Sequence, residues 1–73
     1  MAQEQVEVPI TGKITSVNVS QGATVAEGDV ICILESMKME NPILAPVGGT
    51  VTEVKVSAGQ VVEAGDPIAV IEY

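Results

Sequence analysis

The feature that most constrains this chain is that it is written twice. PITGKITSVNVSQGATVAEGDVICILE, from Pro9, aligns without a gap on PVGGTVTEVKVSAGQVVEAGDPIAVIE, from Pro46, with about a dozen identities at a period of about 37 residues. Pro9 falls on Pro46, Gly12 on Gly49, Val17 on Val54, Val19 on Val56, Gly22 on Gly59, Gly28-Asp29 on Gly65-Asp66, Ile31 on Ile68 and Glu35 on Glu72. The matched positions are mostly glycines and core aliphatics, the residues that set turns and buried faces. Each copy therefore encodes the same backbone path.

Within a copy, apolar residues at period two (Val17 and Val19; Val54 and Val56) read as a strand, followed by a Gly turn, an apolar contact (Val25; Val62), a Gly-Asp turn and a second strand. The matched pairs Ile14/Val17 and Val51/Val54 are three residues apart, a spacing that an unbroken strand cannot put on one face, so a bend or bulge is expected between them. Two copies are too few for a solenoid, and one copy is too short to be stable alone. They must pack on each other. The prediction is an all-β fold with almost no helix, a flattened β-barrel or sandwich with an internal pseudo-two-fold repeat.

On this reading residues 1–7 are an N-terminal extension and 8–73 form one domain, with repeats 9–35 and 46–72 joined by a connecting hairpin, 36–44. The matched glycines Gly22, Gly28, Gly59 and Gly65 should sit in turns with positive φ or at close backbone approaches. One repeat period beyond Lys38 lies just past Tyr73. The chain ends should therefore meet at the pole opposite Lys38.

Composition narrows the function. The 73 residues carry a formal charge of −7 with three basic residues, Lys13, Lys38 and Lys55, and one aromatic, Tyr73. Such a chain can neither neutralise phosphates nor stack bases, which argues against nucleic-acid binding. The apolar run Val30 to Leu34 is far shorter than the roughly 20 residues that cross a bilayer, and MAQEQVEV has no basic n-region or apolar h-region. The expectation is a cytoplasmic protein without direct membrane insertion. There is no His, so imidazole metal sites and Ser-His or Cys-His catalysis are excluded, and the carboxylates are not spaced as a calcium loop. Cys32, in an apolar strand, is assigned to the core. Neither a metal site nor catalysis by this chain alone is expected.

One motif remains outside the repeat. In ESMKMENP, Glu35 to Pro42, a lysine stands between two methionines, and Met37-Lys38-Met39-Glu40 reads as an exposed hairpin tip. A lysine can guard a sheet edge against pairing, with methionines filling gaps beneath it. Exposed tips, however, favour Asn, Gly or Asp, whereas Met adds exposed apolar surface without easing the turn. A partner that reads these side chains explains them better. Catalytic lysines are made by burial or a neighbouring cation, and Glu35 and Glu40 provide the opposite surroundings. An attachment point needs only reach and exposure, because a partner enzyme can bring the activated acyl group and the base.

Glu35-Ser36-Met37-Lys38-Met39-Glu40 resembles the attachment motif of biotinyl domains, the biotin carboxyl carriers of the biotinyl/lipoyl attachment family, and the likeness runs from Val8 to Glu72 through the Pro-x-x-Gly starts, the Gly-Asp turns and the duplication. The resemblance implies a barrel-sandwich hybrid of two four-stranded antiparallel sheets. It implies biotin joined to Lys38 by an amide, with Glu35, Ser36, Met37, Met39 and Glu40 read by the partners. Those partners would be a biotin protein ligase and the biotin carboxylase and carboxyltransferase between whose sites a non-catalytic carrier moves carboxyl groups. Ser36 stands where alanine is commoner in the family. The gapless run Val17 to Val25 leaves no room for the "thumb" insertion of some acetyl-CoA carboxylase carriers, which makes this the thumbless type of acyl-CoA and oxo-acid carboxylases and decarboxylases. Two alternatives stand beside this reading. Lipoyl domains share the duplicated fold but typically have Asp before the lysine and Ala after it, and an unmodified β interaction module would make the tip incidental.

Overall fold

The computed structural model describes all residues, Met1–Tyr73. Eight strands follow one another with no helix: β1 (Gln3–Glu7), β2 (Gly12–Val17), β3 (Thr24–Val25), β4 (Val30–Ser36), β5 (Met39–Leu44), β6 (Gly49–Val54), β7 (Val61–Val62) and β8 (Pro67–Glu72). They form two four-stranded sheets, β1-β8-β6-β3 and β5-β4-β2-β7, in which every pairing is antiparallel. No helix of the structure is long and apolar enough to cross a membrane.

The duplication maps one sheet onto the other. Replacing β2, β3, β4 and β5 by their counterparts β6, β7, β8 and β1 turns the second sheet order into the first. The two-residue strands exchange sheets: β3 pairs with β6 of the other copy, and β7 with β2. Neither copy can complete its sheet alone, which is the physical reason that a single repeat would not fold. A surface groove between the edge strands β1 and β5 is lined by Gln5, Val6, Glu7 and Pro9 and by their counterparts Pro42, Ile43, Leu44 and Pro46, and so lies on the two-fold axis.

Two boundaries differ from the sequence reading. Residues 1–7, expected to be an extension, contain β1, whose Val6 is buried in the core and which pairs with β8 from Gln3↔Glu72 to Glu7↔Pro67. The connecting hairpin 36–44 is largely β5, an edge strand of the second sheet. Each was hidden because an edge strand with one buried side chain shows little period-two patterning, and because Pro42 reads as a breaker although edge strands tolerate proline. Together β1 and β5 are the strand that the repeat was missing in each copy.

The expected bulges are present at matched places, between Ile14 and Ser16 in β2 and between Val51 and Glu53 in β6. Each lets two apolar residues three apart face the core. Gly22, Gly28, Gly59 and Gly65 have φ of 92°, 92°, 90° and 92°. At the Gly-Asp turns, Ala26 N–H donates to Asp29 Oδ2 and Glu63 N–H to Asp66 Oδ2, both at 2.9 Å. The chain ends meet as the symmetry requires: Ala2 N–H donates to the Tyr73 carbonyl at 2.8 Å, and Tyr73 N–H to the Ala2 carbonyl at 2.9 Å.

Polarity follows from the path of β6. It starts beside the chain ends, with Thr50 opposite Glu72. It leads on to the 57–60 turn, where Gly59 N–H bonds the Ile14 carbonyl and Ile14 N–H the Gln60 carbonyl, on the Lys38 side of β2. The molecule is elongated, 36 × 18 × 17 Å.

With no Phe or Trp, the core is an interlock of aliphatic side chains, in which Ile14, Ile31, Leu34, Val51, Val62, Ile68 and Ile71 are fully buried with Cys32. Each such Val, Leu or Ile contributes about 1.5–3 kcal/mol of burial. Burial pushes the Cys32 thiol above its ordinary range. The folded chain holds this proton where the unfolded chain releases it, so stability falls as pH climbs past the ordinary thiol range. Cys32 should resist a thiol reagent in the native protein and react fully in denaturant; equal rates in both states would contradict a sealed core.

Candidate functional site

β4 and β5 carry the Lys38 hairpin. Ser36 pairs with Met39, which leaves Met37 and Lys38 as the whole turn, with φ of 54° and 65°. Two left-handed residues in a two-residue loop are the signature of a type I′ turn, whose twist matches that of the flanking strands. Asn and Gly enter this conformation readily, whereas a side chain such as Met or Lys costs about 1–2 kcal/mol per residue. The ladder beneath, Glu35↔Glu40, Leu34↔Asn41 and Ile33↔Pro42, holds it in place. The tip is thus shorter than the Met37-to-Glu40 segment expected from sequence, since Met39 and Glu40 already belong to β5.

Two features fasten the hairpin to the body of the molecule. Ser36 Oγ donates to the Thr11 carbonyl at 2.9 Å, tying the end of β4 to the segment that enters β2. Beside it Gly12 lies against the Glu35 backbone: a Cβ at this position would overlap the Glu35 carbonyl oxygen and stand 3.0 Å from Leu34 Cδ1. The absence of a side chain lets β2 and β4 close up directly below the turn. Sequence reasoning missed the role of Thr11, for which no pattern exists. It matched Gly12 to Gly49 without assigning it to the site.

At the apex Met37 is 91% and Met39 66% exposed. Lys38, Glu35 and Glu40 are exposed as well, and Ser36 is half-buried. The one ion pair in the molecule joins Lys55 Nζ to Glu53 at 3.6 Å, so the Lys38 ammonium is held by no carboxylate. The structure thus brings the six motif residues to one pole of a rigid β frame and presents a primary amine between two thioethers. No catalytic grouping surrounds it. What this arrangement can do is offer the amine to an acyl group activated elsewhere.

The comparisons with known proteins agree with that geometry. The family model described as "Biotin-requiring enzyme" matches residues 4–71. The chain is 56% identical over 39 residues to the glutaconyl-CoA decarboxylase subunit gamma of Acidaminococcus fermentans, a match covering 53% of this chain and 27% of that protein. It is 52% identical over 42 residues to the biotinylated protein TB7.3 homolog of Mycobacterium leprae, covering 58% of this chain and 59% of that one. It spans less than two thirds of the length of either relative. Among solved structures it superposes on the urea carboxylase of Kluyveromyces lactis with a TM-score of 0.90 and 33% identity, over 99% of this chain and 6% of that one. A single-chain, multi-domain long-chain acyl-CoA carboxylase gives a TM-score of 0.88 and 32% identity, over 93% of this chain and 7% of that one. With its family match covering nearly the whole chain and its fold shared with these carboxylases, the chain belongs to the biotin-requiring enzyme family, as a biotinyl carrier domain whose cofactor is biotin.

Proposed function

We propose that Lys38 is the residue that carries biotin, and that the domain is a non-catalytic carrier taking carboxyl groups from a biotin carboxylase site to a carboxyltransferase site. The observation that carries this reading is the two-residue Met37-Lys38 turn, which lifts one unpaired lysine to the end of an elongated frame. An arm fits there because the amine is exposed and has no ion pair to lose. When bound, biotin supplies the ring that takes up and gives off the carboxyl group, chemistry that belongs to the cofactor.

The chain's own residues position and present. The β4–β5 ladder and the Ser36–Thr11 hydrogen bond keep the base of the arm fixed, so that its motion is confined to the lysine side chain and what it bears. Amide formation removes the Lys38 charge and leaves an apex of two thioethers, which can enter a desolvated site and adapt to different partner surfaces. Tethering replaces free diffusion by a local concentration that reaches the millimolar range. The partners are a biotin protein ligase, which makes the modification, and the carboxylase and transferase components. One relative supports such an assembly, being named as the gamma subunit of a glutaconyl-CoA decarboxylase.

The test is incubation of the purified protein with biotin protein ligase, biotin and ATP. One biotin adduct per chain is expected by intact mass, on Lys38 by peptide mapping. A biotin on Lys13 or Lys55, or no adduct at all, would overturn the assignment, and a lipoyl adduct after coexpression with both ligases would replace it.

A further inference from the structure

The internal duplication gives the molecule its own control, because each pole shows what the same backbone carries with and without the lysine hairpin. At the Lys38 pole one rung of the sheet crosses four strands in register: Glu40 on β5 faces Glu35 on β4, Glu35 faces Lys13 on β2, and Lys13 faces Val61 on β7. All four side chains are exposed. The matching rung at the pole of the chain ends is Gln3, Glu72, Thr50 and Thr24. The inward neighbours agree between the copies, with Ile14, Leu34 and Val62 buried at one pole and Val51, Ile71 and Val25 at the other. The copies thus share a core here and differ on the outer face. Where one has two threonines and a glutamine, the other has a lysine, an exposed valine and a glutamate.

The fold does not require those choices. The same backbone carries Thr50 in place of Lys13 and Thr24 in place of Val61. Val61 is 72% exposed on a two-residue edge strand, so most of its apolar surface lies in water and does little for the core. Lys13 makes no ion pair, and a surface pair with its cross-strand neighbour Glu35 would add little stability in any case. A free cation and an apolar side chain widen the exposed face below the hairpin to about three strand spacings, or ~14 Å.

We infer that Lys13 and Val61 are specificity-determining residues for the ligase, forming with Glu35 and Glu40 a docking rung below the hairpin that meets a ligase surface bearing a carboxylate opposite Lys13 and an apolar side chain opposite Val61. The inference rests on the reading of Lys38 as the biotin attachment residue. Such a rung would let the ligase tell the folded pole from an isolated lysine between methionines. Lys13 gains a role from its place in the register. The sequence hides that role because Lys13, Glu35 and Val61 lie far apart along the chain.

The experiment transplants the other pole's own residues. In Lys13→Thr/Val61→Thr the Lys38 rung takes the threonines that the matching rung already holds, so the variant should melt with the parent. Initial biotinylation rates with ligase, biotin and ATP should then show KM for the carrier raised about ten-fold, with kcat nearly unchanged. Lys13→Arg should keep the parental KM, because it preserves the cation. The mirror variant Thr24→Val/Thr50→Lys, at the far pole, should leave KM unchanged. A KM within two-fold of the parent for the double variant would overturn the inference while leaving Lys38 as the attachment site. A loss confined to kcat, or one that follows a fall in Tm, would also overturn it, since either marks a merely structural role. If the double variant fails to fold, Lys13→Gln and Val61→Thr are measured singly, and an unchanged KM in both overturns it. A parent protein that takes no biotin defeats both the attachment reading and this one.

Discussion

Lys38→Arg is expected to take up no biotin from ligase, biotin and ATP, while Lys13→Arg and Lys55→Arg are labelled to one adduct per chain. The guanidinium keeps the positive charge and nearly the length of the side chain, but its delocalised, permanently protonated nitrogens cannot form the amide. The substitution falls at an exposed turn residue whose φ of 65° either side chain adopts at similar cost, with no ion pair to break. Stability should therefore stay within about 0.5 kcal/mol of the parent. The measurements are intact mass after exhaustive labelling and a thermal melt of the same samples. Residual adduct on Lys38→Arg would show that another amine serves, and a large drop in Tm would show that Lys38 has a structural role that its exposure does not suggest.

The largest effect on stability is expected from Gly12→Ala and its counterpart Gly49→Ala. A Cβ on Gly12 would overlap the Glu35 carbonyl oxygen, and one on Gly49 the Glu72 carbonyl oxygen. The obstacle is backbone within a sheet rather than the end of a flexible side chain, so relief requires β4 or β8 to move and its packing to loosen. Overpacking of this kind costs about 1–3 kcal/mol, occasionally more. Against a total of roughly 4–11 kcal/mol for a chain of this size, one such change should lower Tm by on the order of 10 °C or more. The two sites lie at opposite poles and share no partner, so their effects should add, and the double variant should lose most or all of its cooperative melt. Gly28→Ala should be milder, since no atom lies within 4 Å of its Cβ position and only the φ of 92° opposes a side chain. A Gly12→Ala protein that melts within a degree or two of the parent would refute the close approach of β2 and β4.

Much of this molecule is legible in its sequence because it is repeated there. A gapless duplication of glycines and β-branched residues fixes the turn positions, the bulges between Ile14 and Ser16 and between Val51 and Glu53, and the need for two units to share one core. The six residues from Glu35 to Glu40 single out the proposed attachment pole because Met-Lys-Met has no reason of its own at an exposed turn. What the sequence could not show is pairing. The edge strands β1 and β5 have weak patterning, because an edge strand is made by the neighbour it borders rather than by its own alternation. The exchange of β3 and β7 between sheets is equally invisible, since two residues carry no period.

The all-β class, the two-fold repeat, the buried thiol and the exposed lysine can all be read along the chain, because each depends on local spacing and polarity. Only the folded structure shows that residues 3–7 complete the sheet β1-β8-β6-β3 and that Met37 and Lys38 occupy a strained left-handed turn. It also shows that Ser36 is tied to Thr11, and that Lys13 and Val61 share a rung with Glu35 and Glu40. These facts depend on which strands become neighbours, and that is set by the joint burial of two half-cores, a property of the folded whole that no single stretch of the chain contains.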